Sequence, residues 1–229
     1  MYYFKFYSFG AYSDDTLAKL MNGTIYVPSI NQLNDPFEGR WYDNRIDIVH
    51  PGADKEFKDA LDRRRVFCLC SNDSCDFPCS EDSIPMWSHY AASHTGFCVM
   101  FSDRILETQG QEVNSPAQVR YCDSMPEKTG IRERDMQILY QKSPVWEYER
   151  EMRLCFKGQE HYRRILKDSI KAIIAGSKIS EMNECLLRGI AMKLGCEYRR
   201  LRLDNQSYRF IVDMGQDKEI QQMMNTLDY

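Results

Sequence analysis

Short apolar and aromatic runs, each closed by a turn signal and interleaved irregularly with helix-patterned segments, constrain what this chain can fold into. YYFKFYSF (residues 2–9) carries aromatic residues at a density that favours a strand. Residues 66–70 and 97–101 are continuous apolar stretches, as in strands covered on both faces. Residues 24–27 stop at Pro28, 118–122 read as an exposed strand and 170–175 as a buried one. Segments 197–203 and 207–212 are expected to pair as a hairpin around Asp204-Asn205-Gln206. Helical patterns fall at 13–21, 53–64, 84–93 with Pro85 in the first turn, 131–142, 159–166, and 180–194 stopped by Gly195.

Strands and helices do not alternate strictly, so a doubly wound parallel sheet is not expected, and no G-x-G-x-x-G or Walker sequence offers a phosphate loop. The pattern predicts an α+β fold of mixed or antiparallel sheets with flanking helices. At 229 residues the chain can bury a full core, and without a linker-like stretch residues 1–229 read as a single domain.

A net charge of -4 gives no bulk basic field, which nucleic-acid binders usually need to displace counterions. Basic residues cluster only locally, at Arg63–Arg65 and at Arg199, Arg200 and Arg202. The N-terminus lacks a basic n-region, a spanning apolar stretch and a small-residue cleavage site, so a cytoplasmic protein without membrane partners is expected. Nine cysteines, several inside apolar runs, fit reduced thiols better than a disulfide framework. Cys68, Cys70, Cys75 and Cys79 crowd together, but C-x-C followed by C-x3-C is a poor match to paired zinc-ligand spacing, and no metal is assigned.

The segment VWEYEREMRLCF (145–156) carries the chemistry. As one continuous strand it would place Trp146, Tyr148, Met152, Leu154 and Phe156 on a core face. Glu147, Glu149, Glu151 and Arg153 would share the other, the acids roughly 7 Å apart at about 3.3 Å per residue. Such a row is either a solvated face relieved by Arg153 or a catalytic strand in which crowding raises the proton affinity of one acid.

The succession GTIYVPSINQLNDPFEGRW, VFCLCS, MWSHYAASHTGFCVMF, QVRYC, KSPVWEYEREMRL and IKAIIAGSKIS resembles the bacterial family known as domain of unknown function 2971. Its specific parts are NDPFE (34–38), Trp87 to Gly96 and Trp146 to Arg153. The layout is also similar to the ADP-ribosyltransferase fold, in which a first strand, a second strand with a hydroxyl and a late Glu-x-Glu strand bind and cleave NAD. That similarity implies Lys5 and Tyr7 on the first strand, Ser71 on the second, and Glu149 and Glu151 on the last. A serine-threonine-serine triplet is missing, since Asn72-Asp73 follows Ser71.

On this reading NAD is the substrate. Glu151 favours the oxocarbenium-like ribose of the transition state, and Glu149 orients the attacking group or takes its proton. Lys5 or Arg153 meets the pyrophosphate, Asn34 and Asp35 meet ribose or base unless they simply form a turn, and Trp87 or Tyr90 stacks on a ring. His89 is a hydrogen-bonded helix histidine or a proton shuttle. ADP-ribose would pass to a protein, a nucleic acid or water, in a toxin or anti-phage setting. The alternatives are a metal-dependent nuclease or hydrolase using Asp35, Glu38, Glu149 and Glu151, and a non-catalytic nucleotide-binding module.

Overall fold

The computed structural model describes residues 1–10, 13–41, 53–107, 116–126 and 138–213. The first half comprises β1 (Tyr2–Tyr7), α1 (Ser13–Met21), β2 (Thr24–Tyr26), α2 (Ala53–Asp62), β3 (Arg64–Asn72), α3 (Ile84–Tyr90) and β4 (Phe97–Ser102). There follow β5 (Ala117–Gln118), β6 (Arg120–Tyr121), β7 (Gln141–Lys142), β8 (Glu151–Lys157), β9 (Tyr162–Arg164), β10 (Ile170–Ala175), α4 (Glu181–Leu194), β11 (Glu197–Leu203) and β12 (Phe210–Asp213). The fold is α+β, as expected. It resolves into two compact units, each assembled from separated stretches of chain: Met1–Met21, Asn72–Ser102 and Lys167–Tyr229 in one, Asn22–Ser71 and Asp103–Leu166 in the other. Among the described residues no helix is long and apolar enough to cross a membrane.

The first unit is built on a mixed sheet in the order β12-β11-β10-β4-β1. β10 and β11 run parallel, which requires a crossover, and α4 supplies it. The pairs β1–β4, β4–β10 and β11–β12 are antiparallel, the last being the expected hairpin. Ser180 caps α4 by accepting the Asn183 amide at 3.3 Å, and Gly195 ends it in the left-handed region at φ 66. Phe97 to Phe101 are all buried, so the absence of polar alternation in β4 has its physical counterpart in cover on both faces.

Helix α3 ends at Tyr90, short of the expected Ser93. Ala92, Ser93 and His94 all take positive φ, 47, 55 and 72, at roughly 1–2 kcal/mol apiece for residues with a Cβ. Hydrogen bonds hold this turn: Ser93 N donates to Ser88 O, His94 N to Trp87 O, Gly96 N to Ala91 O, and Lys178 N to His94 O. Close backbone approach completes it, since a Cβ on Gly176 would stand 2.2 Å from His94 O and one on Gly96 2.1 Å from Tyr7 O.

In the second unit β3 and β5 flank β8, both antiparallel to it, and β2–β9 and β6–β7 form small separate pairs. Ile30, Phe57, Leu61, Val66, Ile138, Leu139 and Cys155 make its core, and Trp41 packs edge-on against Phe57 at 4.9 Å. Three sequence expectations need correction here. The helix expected at 159–166 is instead the strand β9, because Tyr162 to Arg164 find a partner in β2, which a local pattern cannot foresee. The helix expected at 131–142 lies mostly outside the described residues, but its last two residues form β7. The continuous strand expected at 145–156 is broken. Pro144 to Glu149 coil into a 3-10 turn, Arg150 takes φ 45 and ψ 50, and the strand begins only at Glu151. Pro144 explains the break: it pre-sets a helical φ at the first position and cannot donate to a ladder.

Candidate functional site

The bend at Arg150 resets the phase of the acids. Its carbonyl is clamped by Ser71, whose amide and hydroxyl donate to it at 3.0 and 2.9 Å. Glu147 is left exposed on the 3-10 turn, whereas Glu149 and Glu151 turn inward and are buried. From Glu151 onward strand periodicity applies, so Glu151 and Arg153 share one side of β8. Trp146 is half-buried and not part of the core, with the Lys142 ammonium 4.6 Å above its ring.

Five charged side chains converge there. Arg153, fully buried, directs its guanidinium to Glu151 Oε1 at 2.8 Å and Oε2 at 3.0 Å, and donates to Leu139 O at 2.5 Å. The same guanidinium grips Glu38 through Oε2 at 2.9 Å and through Oε1. Lys142 Nζ lies 2.6 Å from Glu149 Oε2, 3.4 Å from Glu151 Oε2 and 3.9 Å from Glu38 Oε1. Every side chain of the cluster is at most 5% exposed.

Three carboxylates against two cations leave one proton's worth of charge to be settled, and the surroundings settle it unevenly. Burial alone would raise the Glu151 carboxyl, but Arg153, by charge and hydrogen bond, with Lys142 and the Cys68 thiol, holds it down to about 2. For Glu38 burial wins over the same guanidinium, and its proton affinity is raised. Burial works against the Lys142 ammonium, yet Glu151 and Glu149 hold its proton affinity above the ordinary value. The cluster thus contains one firmly ionised acid and one that retains a proton more readily, the division of labour that acid–base chemistry uses.

Glu38 belongs to the NDPFE loop, which walls a cleft of about 700 Å³ together with Asn31, Arg40, Trp41, Lys58 and Asp62. Asp35 is buried and caps this loop, accepting the Phe37 amide at 2.9 Å. Phe37 is pushed outward, 57% exposed, beside the cleft. The opening is large enough for a nucleotide-sized ligand.

Of the other residues singled out from sequence, Asn34 is exposed on the same loop. Lys5, Tyr7, Trp87, His89 and Tyr90 lie in the first unit, so the second unit by itself does not gather them around the acids. Trp87 is fully buried, edge-on to Phe6 at 5.0 Å with its indole N–H on Pro78 O at 2.8 Å. Tyr7 stacks on Phe97, while His89 is exposed and meets the edge of Tyr90. The sequence pattern gives Lys142 no role, and gives Glu38 a role only in shaping its loop or in binding a metal. The single signal for Lys142 was a lone lysine just ahead of the acid-rich run; for Glu38 it was the carboxylate closing NDPFE.

Among the described residues no group of three or more His, Cys, Asp or Glu side chains is arranged to hold a metal ion, and the three clustered glutamates meet around Lys142 and Arg153. Fold and site together define an α+β protein with a buried carboxylate–guanidinium cluster behind an open cleft. The family described as "Protein of unknown function (DUF2971)" matches residues 86–154, so the resemblance holds over the segment that runs from α3 to the middle of β8 and includes Lys142, Glu149, Glu151 and Arg153. No curated protein and no solved structure matches the chain.

Proposed function

We propose that this chain is an ADP-ribosyltransferase-like enzyme that cleaves NAD and passes ADP-ribose to a macromolecular acceptor or to water. The observation that carries the proposal is the double grip of Arg153, which ties the cleft loop through Glu38 to the acid strand through Glu151. The order of segments also supports an ADP-ribosyltransferase layout, with Lys5 and Tyr7 on the first strand, Ser71 near the end of β3 and the acid pair later.

In this reading the dinucleotide occupies the cleft, with a ring on Phe37 and its pyrophosphate on Arg40 and Lys58. Rupture of the bond between ribose and nicotinamide sends the bonding pair to the departing nicotinamide nitrogen and leaves positive charge on the ribose. Ionised Glu151 stabilises that charge by its field. The acceptor hydroxyl then bonds to the ribose carbon, oriented by Glu149, and its proton passes to Glu38, whose raised affinity suits it to receive one. A role as a toxin or anti-phage effector extends the same proposal.

One observation favours a second reading, a nucleotide-binding module without turnover: both Glu151 oxygens already accept from Arg153. Incubation with NAD, with and without EDTA, separates these readings by nicotinamide release and by binding calorimetry. Release without metal that is lost in Glu151→Gln, with an unchanged circular dichroism spectrum, supports the enzyme. Binding without release supports the module, release that requires metal supports a metal-dependent hydrolase, and neither binding nor release removes NAD as the ligand.

A further inference from the structure

Helix α4 packs on β10 and β11 with one face and leaves the other bare. Glu184, Leu187, Ile190 and Ala191 are its buried residues. At 3.6 residues per turn the side turned away from them carries Met182, Cys185, Leu186, Gly189 and Met192. Met182 is 78%, Leu186 42% and Met192 60% exposed, and Cys185 is the one exposed cysteine among the described residues. Single exposed apolar side chains are ordinary on a protein surface, but three long ones along one helix face form a patch.

Gly189 sits inside that patch. A Cβ built on it meets nothing within 4 Å, and its backbone is not left-handed, so nothing within this chain asks for glycine there. Glycine weakens a helix interior relative to alanine; what it offers in return is close approach by another backbone.

The stripe is also palindromic. About Leu187, Met182 mirrors Met192, Cys185 mirrors Gly189, and the first-turn acid Glu181 mirrors the last-turn base Lys193, both exposed. Two copies of the helix laid antiparallel about a two-fold axis at that point bring methionine level with methionine and cysteine level with glycine. At each end they bring glutamate level with the lysine of the other copy, and the two helix dipoles run opposed. A parallel pairing would instead set lysine beside lysine and glutamate beside glutamate.

We propose that the outer face of α4 is a dimer interface whose partner is a second copy of this chain, packed antiparallel about a two-fold axis at Leu187. The 14 residues of α4 rise about 21 Å. One helix pair of that length buries less than the roughly 800 Å² per partner of a standard interface, so association is weak and depends on concentration.

Sedimentation velocity of the full chain under reducing conditions, from about 1 to 300 μM, covers the affinities expected of so small an interface. The expected result is a rise in mass from 27.0 kDa to twice that value within the range. Leu186→Glu puts a charge into the stripe and should weaken association by about tenfold or more, with far-ultraviolet circular dichroism and Tm unchanged. Glu181→Lys and Lys193→Glu should each weaken it severalfold, and the two together should restore it, which a merely structural role for either residue would not produce. The Cys185 residues of the two copies stand about 6 Å apart along the helix axis, so a short bis-maleimide should join them, as read by peptide mass spectrometry. A chain that stays monomeric at the top of the concentration range overturns the proposal. Rapid alkylation of Cys185 in that monomer means a solvated stripe, and slow alkylation means cover by another part of the same chain. Association unchanged in Leu186→Glu, or a charge exchange that fails to restore it, overturns the proposal as well. Because α4 belongs to the first unit and the Arg153 cluster to the second, NAD turnover has no part in the readout.

Discussion

Replacing Arg153 by methionine removes one side chain and takes a hydrogen-bond partner from three other residues. The guanidinium makes five hydrogen bonds, two to Glu38, two to Glu151 and one to Leu139 O, all without solvent at the arginine. Methionine fills much of the volume, so the lost term is electrostatic: two buried carboxylates lose their main cation. Breaking a buried pair in this way costs about 3–5 kcal/mol. Lys142, at 3.4 Å from Glu151, retains part of the compensation, and Glu38, already inclined to hold a proton, can shed its charge. The cost therefore stays within that range although two acids are affected. For a chain of this size each kcal/mol moves the midpoint by about 2–4 °C, which predicts a fall in Tm of about 6–20 °C. Glu38→Gln should cost much less, about 1 kcal/mol, because it removes the charge that burial penalises and keeps an acceptor. In the double variant, Glu38→Gln should recover part of the Arg153→Met loss, a coupling of about 1 kcal/mol or more between contacting residues. Thermal unfolding followed by circular dichroism measures all three. A loss below about 2 °C in Arg153→Met, or strict additivity in the pair, would refute the claim that the cluster is a buried, mutually dependent unit.

Other expectations follow from the same geometry. Glu151 has a folded pKa of about 2 against an ordinary 4.5, so its contribution to stability is fully present above pH 4.5 and is lost as pH falls toward 2. Denaturant midpoints of the wild type should drop across that window more steeply than those of Glu151→Gln, and parallel curves would contradict the assignment. Phe37→Ala should leave the unfolding free energy within about 0.5 kcal/mol of wild type, since the ring is exposed, and, if the proposed NAD reading is right, weaken NAD binding severalfold by calorimetry. Gly96→Ala places a Cβ 2.1 Å from Tyr7 O and should destabilise the first unit by more than about 2 kcal/mol, read by chemical denaturation; a neutral outcome would mean that the β1–β4 junction yields.

The elements with a strong local signature were legible. β4, β10, α4 with its serine cap and terminal glycine, and the β11–β12 hairpin all stand where their patterns put them. The acids of 145–156 were legible as a cluster but not as a geometry. Period-two reasoning assumed a straight strand through Arg150, and the left-handed conformation of that residue moved Glu147 out to solvent while Glu149 and Glu151 turned in. β9 was misread because a three-residue strand exists only through its pairing with β2.

What the sequence determined by itself is the α+β class, the strand-rich core and the presence of a charge-dense segment among apolar runs, because these depend on propensity and periodicity within a few residues. Only the tertiary structure decided which charges meet. Glu38 and Arg153 are 115 positions apart, and nothing in the local pattern around Lys142 says that its ammonium meets the acids. Their convergence depends on strand register, on the Ser71 clamp at Arg150 and on burial that makes each charge depend on its partners. Those are properties of packed surfaces, and no local pattern encodes them.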